Sequence, residues 1–409
     1  MITIFKVKYL KKRKILIIFL IAIISVSTIS SVTAANITIS PTTPGGLKEA
    51  IGTVKNGSTI YMKNGVYNGE NNTNINITKS INIKGLGSNV IIDGEGKNKI
   101  FTIPKRNTSL SIKNIKFRNG NYYEIYRTNG AINSWGTLAV TSCTFTNNTV
   151  DGAINSFNTL TVNKCIFKNN KAESGGAIYS VGRITVKSST FINNQAKDGG
   201  AIESGNYGGK SSIYKCTFKN NKADHGGAIY SPARAIVKDC IFTNNQARIG
   251  GAIYSDGSPL NVSKCIFKNN KAADGGAILA DYSSTVTNSN FTKNQAKHNG
   301  GAIYSRNTFR MKNCKFTKNQ AKHNGGAIFN DNLDDVLYSS HLTVNKSIFS
   351  NNKAGKKGGA IFNGDAAKIK IANSKFNKNI AGKVYNGISG KVSLKNVKIS
   401  PKDNGKVKK

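Results

Sequence analysis

Leu160-Thr161-Val162-Asn163-Lys164-Cys165-Ile166-Phe167-Lys168-Asn169-Asn170-Lys171-Ala172, followed by Gly175-Gly176-Ala177-Ile178-Tyr179-Ser180, is one copy of a unit that the chain writes ten times. Its mark is a phenylalanine with an asparagine three residues later, from Phe145 and Asn148 to Phe376 and Asn379. The phenylalanines fall at 145, 167, 191, 218, 242, 267, 291, 316, 349 and 376, and Gly-Gly-Ala-Ile sits between most of them. A self-similar period, mostly 22 to 27 residues here, means stacked supersecondary units rather than one globule. Three runs of the quoted copy have strand character: Leu160 to Val162, Cys165 to Phe167 and Ala177 to Ser180. Turn-forming Asn, Lys, Ser and Gly separate them. The apolar phase slips between Val162 and Cys165, so a bend there keeps both faces on one interior. No window of the repeats carries the i, i+3, i+4 pattern of a helix long enough to pack, which disfavours a helical-repeat solenoid.

Three short strands per period, stacked on like neighbours, predict an all-β parallel β-helix. One coil cannot bury its apolar face, whereas ten to thirteen coils share a continuous core. At a strand spacing of about 4.8 Å the rod is roughly 50–60 Å long. In-register stacking turns Phe167, Phe191 and Phe218 into an aromatic ladder, and Asn170, Asn194 and Asn221 into an amide ladder. The paired glycines suit a corner with positive φ or close backbone approach. Extra residues around Asn206 to Lys210 and Asp331 to Ser340 are expected to leave the rod as loops from one side, where solenoids often bind.

The chain opens with Lys11-Lys12-Arg13-Lys14, an apolar run from Ile15 to about Val26, and small residues to Ala34-Ala35. That is the pattern of a signal peptide over residues 1–35, with 15–30 as a candidate membrane tether. Residues 36–110 read as an N-terminal cap and first coils. Leu47, Ala50, Ile51 and Val54 share one face of a short capping helix, which covers the open strand edges of the first coil. Residues 111–400 are the β-helix repeats and 401–409 a basic tail.

The Phe-x-x-Asn and Gly-Gly-Ala-Ile signatures resemble the repeats of chlamydial polymorphic outer-membrane proteins. The cap region, with Leu47 to Ile51, Ile60 to Tyr67 and Val90-Ile91-Ile92-Asp93-Gly94, is similar to adhesin-like β-helix proteins of methanogenic archaea. The resemblance implies a right-handed helix, secreted or displayed at the cell surface, with an adhesive role. The chain departs from the chlamydial pattern in having no C-terminal translocator barrel, and from the archaeal one in having no C-terminal anchoring modules.

Fifty-nine basic against 19 acidic residues give a formal charge of +40, a strong positive field. Much of it recurs in register, as at Lys168, Lys219 and Lys268 after the phenylalanine and Lys171, Lys222 and Lys271 after the asparagine. Stacking makes these cationic stripes, which suit cell-wall polysaccharide or another anionic surface polymer; the plainer reading is lysine that solvates the rod and blocks edge aggregation. Nucleic acid is disfavoured as the ligand of an exported chain. Tyr179, Tyr230, Tyr254 and Tyr304 follow Gly-Ala-Ile and alternate outward, either to stack on sugar rings or to shield backbone. The ligand-binding candidates are therefore these four tyrosines with Lys168, Lys219 and Lys268.

Six cysteines, at 143, 165, 216, 240, 265 and 314, interchange with Ser189, Ser289, Ser347 and Ser374. The slot wants a small buried residue, and a free-thiol ladder is preferred to disulfides between neighbouring coils. No C-x-x-C pair exists, so no metal site is expected there. His298 and His323, in identical segments, are expected to stack on a surface corner. Catalysis by a β-helix lyase or hydrolase needs convergent carboxylates. Here acids are sparse, with Asp198 and Asp224 at similar corners and Asp331, Asp334 and Asp335 in the longest insertion. The sequence reading is thus a surface adhesin-like binding protein without catalytic residues, metal or cofactor, against the alternative of a polysaccharide lyase or glycoside hydrolase.

Overall fold

The computed structural model describes residues 35–121, 130–205, 209–331, 340–364, 367–381, 388–389 and 392–399. The signal segment, the basic tail, Asp334 and Asp335 lie outside the described residues. The chain is an all-β, right-handed parallel solenoid of about 13 turns. Three long sheets of 15, 14 and 13 strands run its length, and a fourth strip of 5 short strands fills one corner. In the coil quoted above, Thr159–Asn163 lies in the first sheet, Ile166–Lys168 in the second and Ile178–Ser180 in the third. Every long strand pairs in parallel with its equivalent one coil away, without register slip across the repeats, as with Phe145↔Phe167, Phe167↔Phe191 and Phe191↔Phe218.

The core follows from that register. Leu160, Val162, Phe167 and Ile178 and their equivalents are fully buried, and they form one apolar cluster from Ile39 to Phe376. The phenylalanine ladder starts one coil earlier than its sequence mark, at Phe117, and stacks with centroids 4.7–4.9 Å apart. The amide ladder is as expected. Asn221 Nδ2 donates to Asn245 Oδ1 (3.0 Å) and to the Phe191 carbonyl (3.1 Å), while its Oδ1 accepts from Asn194 Nδ2 (3.0 Å). Each buried amide thereby finds partners in the coils before and after it.

Left-handed residues turn each coil at two places ahead of the glycine pair. The first lies between the first and second sheets, at Lys164 (φ 53°), Ser188 (48°) and Lys215 (52°). The second is the leading residue of each Asn-Asn pair, as at Asn169 (57°) and Asn220 (56°). Asparagine tolerates this region, but lysine has no such preference, so the corner at Lys164 was legible only as a phase slip. The glycine pair does both things expected of it. The leading glycine, such as Gly226, has φ 60°, while a Cβ on Gly227 would lie 2.3 Å from the Gly251 carbonyl of the next coil.

The capping helix α1 (Gly46–Thr53) forms, and Leu47, Ala50, Ile51 and Val54 are buried in the main cluster. Lys79 Nζ donates to the carbonyls of Ile51, Gly52 and Val54 at 3.3, 2.6 and 2.8 Å, meeting the unsatisfied acceptors at the helix end with a positive charge. Among the described residues no helix is long and apolar enough to cross a membrane. The two insertions named from the repeat spacing fall at the same corner of the coil, while a further segment before the marked repeats falls at another. Residues 206–208 and 332–339 connect third-sheet to first-sheet strands, whereas 122–129 connect a second-sheet to a third-sheet strand. That segment has no matching length change among the ten marked repeats, because it precedes them.

Candidate functional site

The six cysteines are free and buried. Each slot accepts a backbone hydrogen bond from the preceding coil, from Cys143 N–H to Cys165 Sγ (3.4 Å) and from Cys165 N–H to Ser189 Oγ (3.1 Å). Sulfur and hydroxyl do one job there, which is why Cys and Ser interchange. Burial pushes the Cys314 thiol up to about 11.

The tyrosines sit on the outer face of the third sheet, in the column Tyr179↔Glu203↔Tyr230↔Tyr254↔Leu279↔Tyr304↔Phe329. They are half-buried or buried, and engaged. Tyr230 donates to Asp256 Oδ2 (3.0 Å) and Tyr254 to Asp281 Oδ2 (2.7 Å), and their rings lie 5.3 Å apart. Arg306 pairs with Asp281 (3.1 Å) and stands over the Tyr304 ring at 4.8 Å. Burial, then the hydrogen bond to its aspartate, raises the pKa of both Tyr230 and Tyr254, so they stay protonated donors. Burial also raises Asp281, against the pull of Tyr254 and Arg306.

Asp198 and Asp224 are not equivalent. The register partner of Asp198 is His225, and His225 Nδ1 lies 2.6 Å from Asp198 Oδ1. The Arg248 guanidinium meets His225 Nε2. A guanidinium only donates, so Nε2 must accept and Nδ1 carries the proton toward Asp198. Asp198, Glu203, Asp256 and Asp281 are thus gathered along one face that sequence spacing had left as scattered acids. His298 and His323 stack as expected, with rings 5.4 Å apart.

Lys168, Lys219 and Lys268 lie on a different face. They project from the outside of the second sheet in alternate coils, with Ile192 and Thr243 between them. The structure does not bring them against the tyrosines, because the corner strip intervenes. That strip holds a groove that sequence reasoning missed as a unit. A cavity of about 510 Å³ runs along the axis from Lys222 to Lys322. Ala223, Ala247, Ala272 and Ala296 line its floor, Lys222, Gln246, Lys271 and Gln295 one wall, and Asp224, Arg248, Ala273 and Lys297 the other. Among the described residues no carboxylate forms an ion pair with Lys222, Lys271, Lys297 or Lys322. The signal was present as Lys/Gln-Ala after each asparagine, but nothing in the sequence says that this corner is concave.

Residues 196–335 match the family model described as a right handed beta helix region, and 164–181 and 346–364 match the Chlamydia polymorphic membrane protein repeat. No curated protein matches the chain. Among solved structures, it is similar to a mannuronic acid specific polysaccharide family 6 lyase from human gut microbiota, at 10% identity and TM-score 0.47 over 88% of this chain and 91% of that one. It is also similar to PfbA, a surface adhesin of Streptococcus pneumoniae, at 12% identity and TM-score 0.39 over 83% and 82%. A PL6 alginate lyase in complex with a trisaccharide is similar at 13% identity and TM-score 0.35 over 88% and 84%. These likenesses show the fold alone.

They also correct one expectation. The chain was expected not to be an enzyme, yet polysaccharide lyases stand beside an adhesin among the similar structures, so the scaffold gives no ground for setting catalysis aside. Nor does the fold by itself establish it. The physical premise changes too, because the acids that looked dispersed share a face once the coils stack.

Proposed function

We propose that the protein is displayed at the cell surface or exported, and binds an anionic polysaccharide lengthwise along its alanine-floored corner groove. The observation that carries this is the run of cations around a concave axial floor, without carboxylate partners among the described residues. Cations left unpaired keep their charge available for a ligand, and a cleft focuses their field. Lys168, Lys219 and Lys268 border the groove from the second sheet and extend the positive field. The tyrosines contribute hydroxyls and ring edges on the neighbouring face rather than free stacking planes. The polymorphic-membrane-protein repeats support a surface location, and kinship of the cap with adhesin-like archaeal proteins belongs to the same reading.

The test is retention of a labelled acidic polysaccharide, with a neutral one of equal length as control. Lys222→Gln/Lys271→Gln/Lys297→Gln is expected to weaken binding by about tenfold or more, and wild-type affinity is expected to fall as salt rises. Equal retention of neutral and acidic chains sinks the proposal. One observation favours a second reading, cleavage of the bound chain: Asp198, His225 and Arg248 form a relay from the carboxylate face to the groove wall. New chain ends in the same incubation would report it.

A further inference from the structure

The groove has a finer pattern than its net charge. On one wall the register runs Lys171↔Gln195↔Lys222↔Gln246↔Lys271↔Gln295, so a cation recurs in every second coil. On the other wall backbone hydrogen bonds stack Glu173, Lys197, Asp224, Arg248 and Ala273 in successive coils. In the next coil the N–H bonded to Ala273 is that of His298, while Lys297 follows Ala296, the register partner of Ala272, and lines the groove. The two alternations are out of phase. Reading up the axis, the cations are Lys171, Lys197, Lys222, Arg248, Lys271 and Lys297, one per coil on alternate sides through six consecutive coils. The last four line the groove, and Lys322 then follows on the same side as Lys297. The coil rise is that of the ring ladder, 4.8 Å between Phe218 and Phe242.

Solvating the rod does not require this arrangement. Keeping like charges apart accounts for alternation within one wall, since two coils separate them by roughly 9.6 Å, about a Debye length. Mutual repulsion also favours the opposite phase of the second wall, but it does not call for both rows of cations to face one concave floor. We infer that the groove is matched to a ribbon-like polyuronic acid, a β-1,4-linked chain with two-fold symmetry whose successive carboxylates leave alternate edges. Each sugar of such a chain advances by about one coil, so each carboxylate meets the next cation on the opposite wall. The alanine floor admits the flat ring, and Gln195, Gln246 and Gln295 face the ribbon between lysines with neutral donors and acceptors for hydroxyls. Glu173 and Asp224 limit the positive run at the amino-terminal end, which places the strongest alternating part of the groove from Arg248 to Lys297. This inference rests on the groove binding an anionic polysaccharide at all.

The deciding experiment relocates a charge without changing its number. In the full chain, Gln295→Lys/Lys297→Gln moves one cation to the other wall, and neither residue has a side-chain partner among the described residues. The probe is an oligomer of β-1,4-linked glucuronic acid, with binding followed by calorimetry across a salt series and folding checked by the urea midpoint. The relocated variant is expected to bind about fivefold more weakly, with the slope of log affinity against log salt reduced by about one charge contact. Equal affinity and slope in the two proteins overturn the inference and leave polyanion binding standing. Failure of the wild type to bind any acidic polysaccharide overturns both.

Discussion

At the residue scale, one position explains how a small change of atom is tolerated in a fully stacked core. The slot two before each phenylalanine accepts a backbone N–H from the coil below it, and either a thiol or a hydroxyl can do so. The Cys314 thiol lives in a dry environment that favours its neutral form. Cys314 is 2% exposed and its pKa is raised from 9.0 to about 11. A group whose pKa is raised on folding binds its proton more tightly in the folded state. Its contribution to stability is therefore complete below the ordinary thiol value and is lost as pH rises from about 9 toward 11. At pH 8 a thiol reagent is expected to label no cysteine of the folded protein and all six after denaturation. Rapid labelling of Cys314 in the folded state would show that the ladder is open to solvent.

At the element scale, the coil corners divide the work between conformation and clearance. Gly257 has φ 75° and empty space where a Cβ would go, so Gly257→Ala is expected to cost about 1–2 kcal/mol, the left-handed penalty alone. Gly227 is different, because a Cβ there would meet the Gly251 carbonyl at 2.3 Å and the Gln246 carbonyl at 2.7 Å. Both obstacles are backbone of the adjacent coil, so the stack itself must part. Gly227→Ala is expected to exceed about 4 kcal/mol, a size that marks a structural lesion. Urea midpoints of the two variants against wild type check this. Similar shifts for both would mean that the coils part easily.

For the whole molecule, the charge is set against a geometry that cannot disperse it. Parallel stacking repeats every surface residue at the coil rise, so 59 cations against 19 anions would otherwise line up at near contact. Alternation of Lys with Gln, Thr or Ser relieves this locally, while the net +40 still opposes compactness. Raising NaCl from about 0.01 M to about 0.1 M shortens the Debye length from about 30 Å to about 10 Å. The thermal midpoint is expected to rise by several degrees over that interval, as seen by circular dichroism. A midpoint that falls would mean that attractive pairs, such as Arg118 with Asp93 and Arg306 with Asp281, outweigh the repulsion.

The sequence by itself determined the solenoid, its three-strand coil, the phenylalanine and asparagine ladders, the glycine corners and the capping helix. Each of these is local or periodic: a residue repeated at a constant interval meets its own copy when like units stack. The tertiary structure alone decided which columns share a face. Asp198 pairs with His225 rather than matching Asp224, the tyrosines are tied to Asp256 and Asp281, and Lys168 is separated from them by a corner. It also decided that the Lys/Gln-Ala strip is concave, with two walls in opposite phase. Periodicity fixes what lies above and below a residue, but not what lies beside it. The lateral neighbours depend on the angle at each corner, which left-handed lysines such as Lys164 and Lys215 set without announcing it in their residue type.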